Sequence, residues 1–121
     1  MLHHVGIEVM PEDVDRSIEF WQALDFVLVE PPATLRELTW LEREGTQIHL
    51  MPTEDVLLTQ SPHVAVVAPE FERAIANLLE LGFEVEYRRK HWGAERAYAI
   101  TPSGHVVEVM AAPPPRQRKS G

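Results

Sequence analysis

Residues 2–9, Leu-His-His-Val-Gly-Ile-Glu-Val, decide the fold because part of this stretch is repeated, with similar residues, later in the chain. The run His-Val-Gly-Ile at 4–7 returns 59 positions later as His-Val-Ala-Val at 63–66. The same offset relates Gly45 to Gly104, and Ile-His-Leu at 48–50 to Val-Glu-Val at 107–109. A repeat at a fixed period indicates a duplicated supersecondary unit whose copies bury their apolar faces together.

Composition limits the kind of protein and the kind of site. The 121 residues, 45% of them hydrophobic, suit a single domain with its own core. No cysteine is present, so a metal site would have to use imidazole and carboxylate ligands. The net charge of -8 argues against nucleic acid as a partner, and no apolar run approaches the roughly 18 residues of a membrane span. Because the charge disfavours polyanionic partners, we expect a small molecule as the partner. The first residues lack the features of a signal peptide, so we expect a cytoplasmic protein.

Apolar periodicity gives each copy the order β-α-β-β-β. Alternation over 2–9 predicts a strand, and apolar residues at helical spacing between 14 and 24 predict a helix. Three more strands are predicted over 25–30, 35–42 and 46–51, and the second copy repeats this order with a helix that ends at Gly82. We therefore expect one domain over 1–111, made of module one at 1–52, a connector at 53–62 and module two at 63–111, followed by a flexible tail at 112–121.

The expected fold class is α+β, in which the two tandem modules form a curved mixed sheet with helices outside and a concave cup inside. Successive strand residues point to opposite faces, so counting assigns Val5, Ile7 and Val9 to the helix side. Four repeat-related polar residues take the cup side: His4, His49, His63 and Glu108. Three imidazoles and one carboxylate suit a divalent iron, zinc, nickel, cobalt or manganese ion, whereas calcium and magnesium prefer oxygen ligands.

The quoted residues resemble a known family. The duplicated order and the opening at 2–9 are similar to the vicinal oxygen chelate superfamily, as are Ser-Ile-Glu-Phe-Trp at 17–21, Leu-Asp-Phe at 24–26 and Thr-Pro-Ser-Gly-His-Val-Val-Glu-Val at 101–109. This superfamily includes glyoxalase I, extradiol dioxygenases, methylmalonyl-CoA epimerase and the fosfomycin and bleomycin resistance proteins. The resemblance spans residues 2–110.

The resemblance implies a role for each matched residue. His4 and His63 would be ligands from the first strands of the two modules, and Glu108 would be the carboxylate ligand from the last strand. His49 stands where glyoxalase I has a glutamate, which leaves Glu108 as the catalytic base and His49 as either a ligand or an acid–base group. The set of His4, His63 and Glu108 also resembles the facial triad of extradiol dioxygenases.

The implied function is that of a small metal-dependent enzyme that binds two vicinal oxygens of its substrate, as a lyase, an isomerase or a ring-cleaving oxygenase. The alternative is a non-catalytic protein of the bleomycin-resistance type, which sequesters a small molecule in the same cup. The resemblance also implies a homodimer, with modules that pair either within one chain or between two chains.

Other side chains are candidates for lining the cup, although the sequence leaves the faces of the third strands ambiguous. The candidate pocket residues are Arg36, Trp40, Gln47, His91, Arg96 and Tyr98. Gln47 shares the face of His49 and is a candidate hydrogen-bond partner for it. His3 and His105 count to the helix side, so we expect structural roles for them.

Overall fold

The two copies of the repeat form two four-stranded sheets, each accompanied by one helix. The computed structural model describes residues 1–59, 61 and 64–116. Module one contains β1 (His4–Val9), α1 (Val14–Ala23), β2 (Val27–Val29), β3 (Thr39–Arg43) and β4 (Thr46–Pro52). Module two contains β5 (Val64–Val67), α2 (Phe71–Glu80), β6 (Val85–Arg88), β7 (Arg96–Ile100) and β8 (Val106–Met110). Short 3-10 helices lie at Pro11–Asp13 and Ala33–Leu35. The tandem α+β order predicted from the sequence is confirmed.

The strands follow the same order in both modules, β1-β4-β3-β2 and β5-β8-β7-β6. In each sheet the first strand pairs parallel with the last, and the remaining pairs are antiparallel. Among the described residues no backbone ladder joins β1 to β5, so the curved mixed sheet consists of two separate four-stranded halves.

Side-chain hydrogen bonds to backbone connect the two sheets. Arg43 Nη1 donates to the carbonyl oxygen of Val67 at 2.7 Å. On the other side, a ring nitrogen of His105 lies 2.7 Å from the carbonyl oxygen of Glu8. Each bond reaches from one module to the first strand of the other, so the two modules meet in a roughly symmetric way.

The core lies between the helices and one face of each sheet. Val9, Leu41 and Val109 are fully buried, and their neighbours along the strands are more exposed, as period-2 alternation requires. One cluster of buried residues includes side chains from both modules. Within it, the rings of Phe20 and Phe83 meet edge to face with centroids 5.2 Å apart, a geometry that aromatic pairs prefer. The helices therefore hold the modules together and leave the opposite face of each sheet free; we call it the open face.

Equivalent turns end the two helices. Asp25 follows α1 with φ 69°, and Gly82 follows α2 with φ 87°. In both turns the next residue donates its backbone N–H back into the helix, from Phe26 to Trp21 and from Phe83 to Leu78. The predicted helix end at Gly82 is confirmed, because glycine adopts this left-handed conformation without steric cost.

The segments outside the modules are partly described. Residues 112–116 are exposed and have no regular secondary structure, whereas 117–121 of the expected tail lie outside the described residues. Trp92 Nε1 donates to the carbonyl oxygen of Ala112 at 2.8 Å, which anchors the start of this segment. In the described part of the chain, neither helix has the length and apolar character that a membrane crossing requires.

Candidate functional site

Two of the predicted ligands come together on the open face of module one. Strands β1 and β4 run parallel, with Gly6 opposite His49 and His4 opposite Gln47. The imidazole of His49 lies against that of His4, with ring centroids 4.0 Å apart and planes 10° from parallel. A ring nitrogen of His49 also lies 2.7 Å from Gln47 Oε1, as expected for a hydrogen-bond partner that orients the ring.

Trp40 extends this arrangement. It pairs directly with His49 across β3 and β4, and the two rings stack at 3.9 Å with planes 2° apart. Trp40 therefore lies on the open face, and the ambiguity left by the sequence is resolved. The order Trp40, His49, His4 forms a continuous column that we call the ring stack.

His3 joins the ring stack at its edge, in contrast to its expected place on the helix side. Its Nδ1 lies 3.0 Å from Nδ1 of His4, and the two rings meet at 89°. Strand β1 begins only at His4, so the alternation of a paired strand does not fix the direction of His3. One nitrogen from each of His3, His4 and His49 lies within 4.8 Å of the other two, and we call these three residues the histidine cluster.

The environment of His49 favours its neutral form. Burial lowers the pKa of His49 first, because the imidazolium loses hydration, and the nearby His4 and His3 lower this pKa further by charge repulsion. A neutral imidazole has a free lone pair, which is the form that binds a metal ion.

A cavity of about 410 Å³ opens beside the ring stack. Its lining is mainly apolar and consists of His4, Gly6, Leu35, Leu38, Trp40, His49, Leu50, Met51 and Pro52. A Cβ on Gly6 would lie 2.6 Å from Met51 Sδ, so the missing side chain leaves the space that Met51 uses. The size and composition suit a small organic ligand with one polar end at the histidines.

Glu108 of module two has a different environment. Arg96 Nε donates to Glu108 Oε2 at 2.7 Å, with only 8% and 16% of the two side chains exposed. Arg96 Nη1 also donates to the carbonyl oxygen of Arg89 at 2.6 Å, and the guanidinium lies 5.1 Å from the Trp92 ring. The hydrogen bond to Glu108 is the main reason that the pKa of Arg96 is raised. Glu108 therefore has a buried cation as its partner and does not belong to the histidine cluster.

The other candidate residues are distributed as follows. Arg96 and Tyr98 alternate with buried Ala97 and Ala99, so both lie on the open face of module two. Arg36 and His91 are exposed in turns, and neither lines the cavity beside the ring stack. His105 bonds to the backbone of β1, consistent with a structural role. His63 lies outside the described residues.

The donor set of module one fits a borderline divalent metal ion. A tetrahedral ion with nitrogen ligands at roughly 2.0–2.1 Å places neighbouring donor atoms about 3.3 Å apart. The histidine cluster holds one nitrogen of each residue within 4.8 Å of the others. Because a ring nitrogen binds in the plane of its ring, the exposed imidazole of His4 would have to turn out of its stack on His49 for both to bind one ion.

Comparisons with known proteins agree with this architecture. Residues 1–109 match the sequence profile of the glyoxalase/bleomycin resistance protein/dioxygenase superfamily. The chain belongs to this superfamily. No curated protein is significantly similar to it in sequence.

Solved structures show the same fold at low sequence identity. A glyoxalase family protein from Bacillus anthracis is 18% identical with a TM-score of 0.78, covering 91% of this chain and 93% of the other. A glyoxalase/dioxygenase from Nostoc punctiforme is 21% identical with a TM-score of 0.74, covering 93% and 91%. TnmS3, an antibiotic binding protein from Streptomyces sp. CB03234, is 15% identical with a TM-score of 0.70, covering 91% and 93%. At these identities the likeness concerns the fold.

Proposed function

We propose that this superfamily member is a small metal-dependent enzyme that binds two vicinal oxygens of a small substrate. The observation that carries the proposal is the histidine cluster, of which His4 and His49 line a mainly apolar cavity. In a metal-dependent lyase, isomerase or ring-cleaving oxygenase, the substrate oxygens take open coordination positions of the ion, and an adjacent cavity would hold the rest of the substrate.

Each part of the site has a task in this proposal. His4 and His49 hold the metal ion, which when bound supplies a Lewis acid for the substrate oxygens. Trp40 packs flat on His49 and Gln47 hydrogen-bonds to it, so the imidazole is fixed in one orientation. Leu35, Leu38 and the other apolar lining residues exclude water from the bound substrate. The sequence predicts two candidates for proton transfer: Glu108 could serve only if its ion pair with Arg96 opens, and His49 could serve only if it leaves the metal ion.

Metal analysis tests the proposal. Purified protein is loaded with Fe²⁺, Zn²⁺, Ni²⁺, Co²⁺ or Mn²⁺, dialysed, and analysed for retained metal. We expect about one ion per chain for at least one of these metals, and a loss of retention in His49→Ala because one of the donors is removed. His91→Ala is the matched control, since it removes an exposed imidazole from a turn outside the cluster. A wild-type chain that retains none of the five metals would refute the proposal.

A second candidate function is sequestration of a planar ligand without catalysis. The cavity is lined mainly by apolar side chains, and Trp40 presents a flat aromatic surface next to it. The net charge of -8 favours a cationic ligand. Tight binding of an aromatic cation to metal-free protein, unchanged by His49→Ala and accompanied by no turnover, would favour this function over the enzyme.

We also propose that the protein acts as a homodimer. Strand β2 is the outer strand of its sheet, and Val27 and Leu28 on it are 60% and 51% exposed. Apolar side chains on an unpaired edge invite association with another chain. Sedimentation equilibrium should give twice the monomer mass of 13.8 kDa, and replacement of both residues by lysine should shift the equilibrium towards monomer. A monomer at all accessible concentrations would contradict this proposal.

A further inference from the structure

The histidine cluster belongs wholly to module one and includes a residue outside the four repeat-related positions. His3 contributes a nitrogen within 4.8 Å of those of His4 and His49. The contact of 3.0 Å between Nδ1 of His3 and Nδ1 of His4 is close to the separation of about 3.3 Å between adjacent donors around a tetrahedral ion. Three imidazoles with an open fourth position form a well-known type of catalytic zinc site.

The carboxylate of Glu108 in module two is already paired with a cationic side chain, that of Arg96. Arg96 contacts Glu108 at 2.7 Å in a nearly buried setting, and its second bond to the backbone of Arg89 fixes the guanidinium in place. Trp92 lies over the same guanidinium. For Glu108 to bind a metal ion, a second positive charge would have to approach Arg96 in surroundings of low dielectric constant, where repulsion is strong.

We infer that His3 is the third protein ligand of the metal ion, and that Glu108 stays paired with Arg96 instead of coordinating. This inference rests on the proposed metal-dependent function and specifies its donor set. Three neutral imidazoles around a divalent ion leave a local charge of +2, greater than that of a site that includes a carboxylate. Such a site selects substrates whose vicinal oxygens carry negative charge, such as enolates or catecholates.

Zinc titration of the full chain tests the inference. Zn²⁺ affinity is measured by calorimetry for the wild type, His3→Ala and Glu108→Gln, with Co²⁺ absorption as a second report of the donor atoms. His3 is exposed, so its removal should leave the fold intact. Loss of groups that merely orient a ligand already weakens metal binding about 10-fold to 100-fold, so we expect His3→Ala to weaken Zn²⁺ binding at least about tenfold. Glu108→Gln should change the affinity less than about threefold, because glutamine keeps a hydrogen bond to Arg96.

The possible outcomes separate the inference from the proposed function. If Glu108→Gln abolishes Zn²⁺ binding, or if His3→Ala leaves it unchanged, the inference is wrong while the metal-dependent enzyme stands. If the wild type binds neither Zn²⁺ nor Co²⁺, the inferred three-histidine site is wrong, and the proposed function falls with it only if Fe²⁺, Ni²⁺ and Mn²⁺ are not retained either. Should Glu108→Gln fail to fold, the double variant Arg96→Met/Glu108→Leu removes both charges together, and it should bind Zn²⁺ as the wild type does.

Discussion

The open faces of the two modules differ far more than their backbones do. His49 and Glu108 occupy equivalent positions on β4 and β8, and the residues paired with them are both aromatic, Trp40 and Tyr98. Module one uses these positions for stacked rings beside a cavity. In module two, Glu108 instead forms a nearly buried ion pair with Arg96. Duplication has kept the fold of both halves, whereas the chemistry of the open face has diverged.

The helix sides of the modules are more alike. Helices α1 and α2 both have ten residues, so they align one to one. Trp21 then corresponds to Leu78, and both are fully buried. Ser17 corresponds to Ala74, again with both buried. These two positions, together with the ion pair and the ring stack, show where the halves have specialised, and each of them can be tested.

The largest expected effect is the loss of a core side chain. Trp21→Ala should lower the free energy of unfolding by about 4 kcal/mol and Leu78→Ala by about 3 kcal/mol, because each leaves a cavity in the shared core. Urea denaturation followed by circular dichroism measures both. Similar values would mean that the modules contribute comparably to one cooperative unit. A loss below about 1 kcal/mol for either variant would show that its module is not part of that unit.

The ion pair of module two gives the next largest effect. Arg96→Met should cost about 3 kcal/mol, since it leaves the Glu108 carboxylate without a partner in a nearly buried place. The double variant Arg96→Met/Glu108→Leu should recover most of this loss, because no unpaired charge remains. His49→Gln on the open face of module one, which breaks no ion pair, should cost less than about 1 kcal/mol. Equal losses for Arg96→Met and His49→Gln would contradict the contrast between the faces.

Much of this architecture was predictable from the sequence because it follows from periodicity. The repeat at an offset of 59 residues indicated the duplication, and the alternation of strand residues predicted that His4 and His49 lie on the same face. Counting needs only that strands are regular, and β1 and β4 are regular over these residues. If Leu41 faces the helix side, the adjacent Trp40 must face the open side. Both residues are apolar, however, so the sequence alone could not show which of the two is buried in the core.

The features that escaped prediction depend on distances between elements. The direct partner of Arg96 across β7 and β8 is Met110, so its contact with Glu108 is diagonal. The sequence does not show which diagonal neighbour a long side chain will contact. The direction of His3 depends on where β1 begins to pair. Whether a backbone ladder joins β1 to β5 depends on the distance between these two strands, which a strand-by-strand analysis does not give.

A smaller expected effect is a pH dependence of stability that comes from His49 of module one. The pKa of His49 in the folded chain is lowered from 6.5 by burial and by the neighbouring His4 and His3. The unfolded chain then binds a proton more readily than the folded one, so stability is fully present above about pH 6.5 and declines as pH falls through the folded pKa. Thermal unfolding of metal-free protein between pH 8 and pH 5 measures this slope. His49→Gln should flatten it, whereas His91→Ala in module two should leave it unchanged.

The smallest expected effect is a gain in stability. Ser17 is 1% exposed, and its hydroxyl has no hydrogen-bond partner among the described residues. A buried polar group without a partner costs about 1–3 kcal/mol, and serine is also a weaker helix former than alanine. Module two has alanine at the equivalent position in α2. Ser17→Ala should therefore stabilise the chain by about 1 kcal/mol, measured as a higher urea midpoint at an unchanged m-value.

The reciprocal change in module two completes the comparison. Ala74→Ser places a hydroxyl at the corresponding buried position and should destabilise the chain by about 1 kcal/mol. Together the two variants test whether the buried serine of α1 lowers the stability of the chain or is required by the shared core. If Ser17→Ala destabilises the chain while Ala74→Ser is neutral, the hydroxyl of Ser17 has a stabilising role and the helix sides differ as the open faces do.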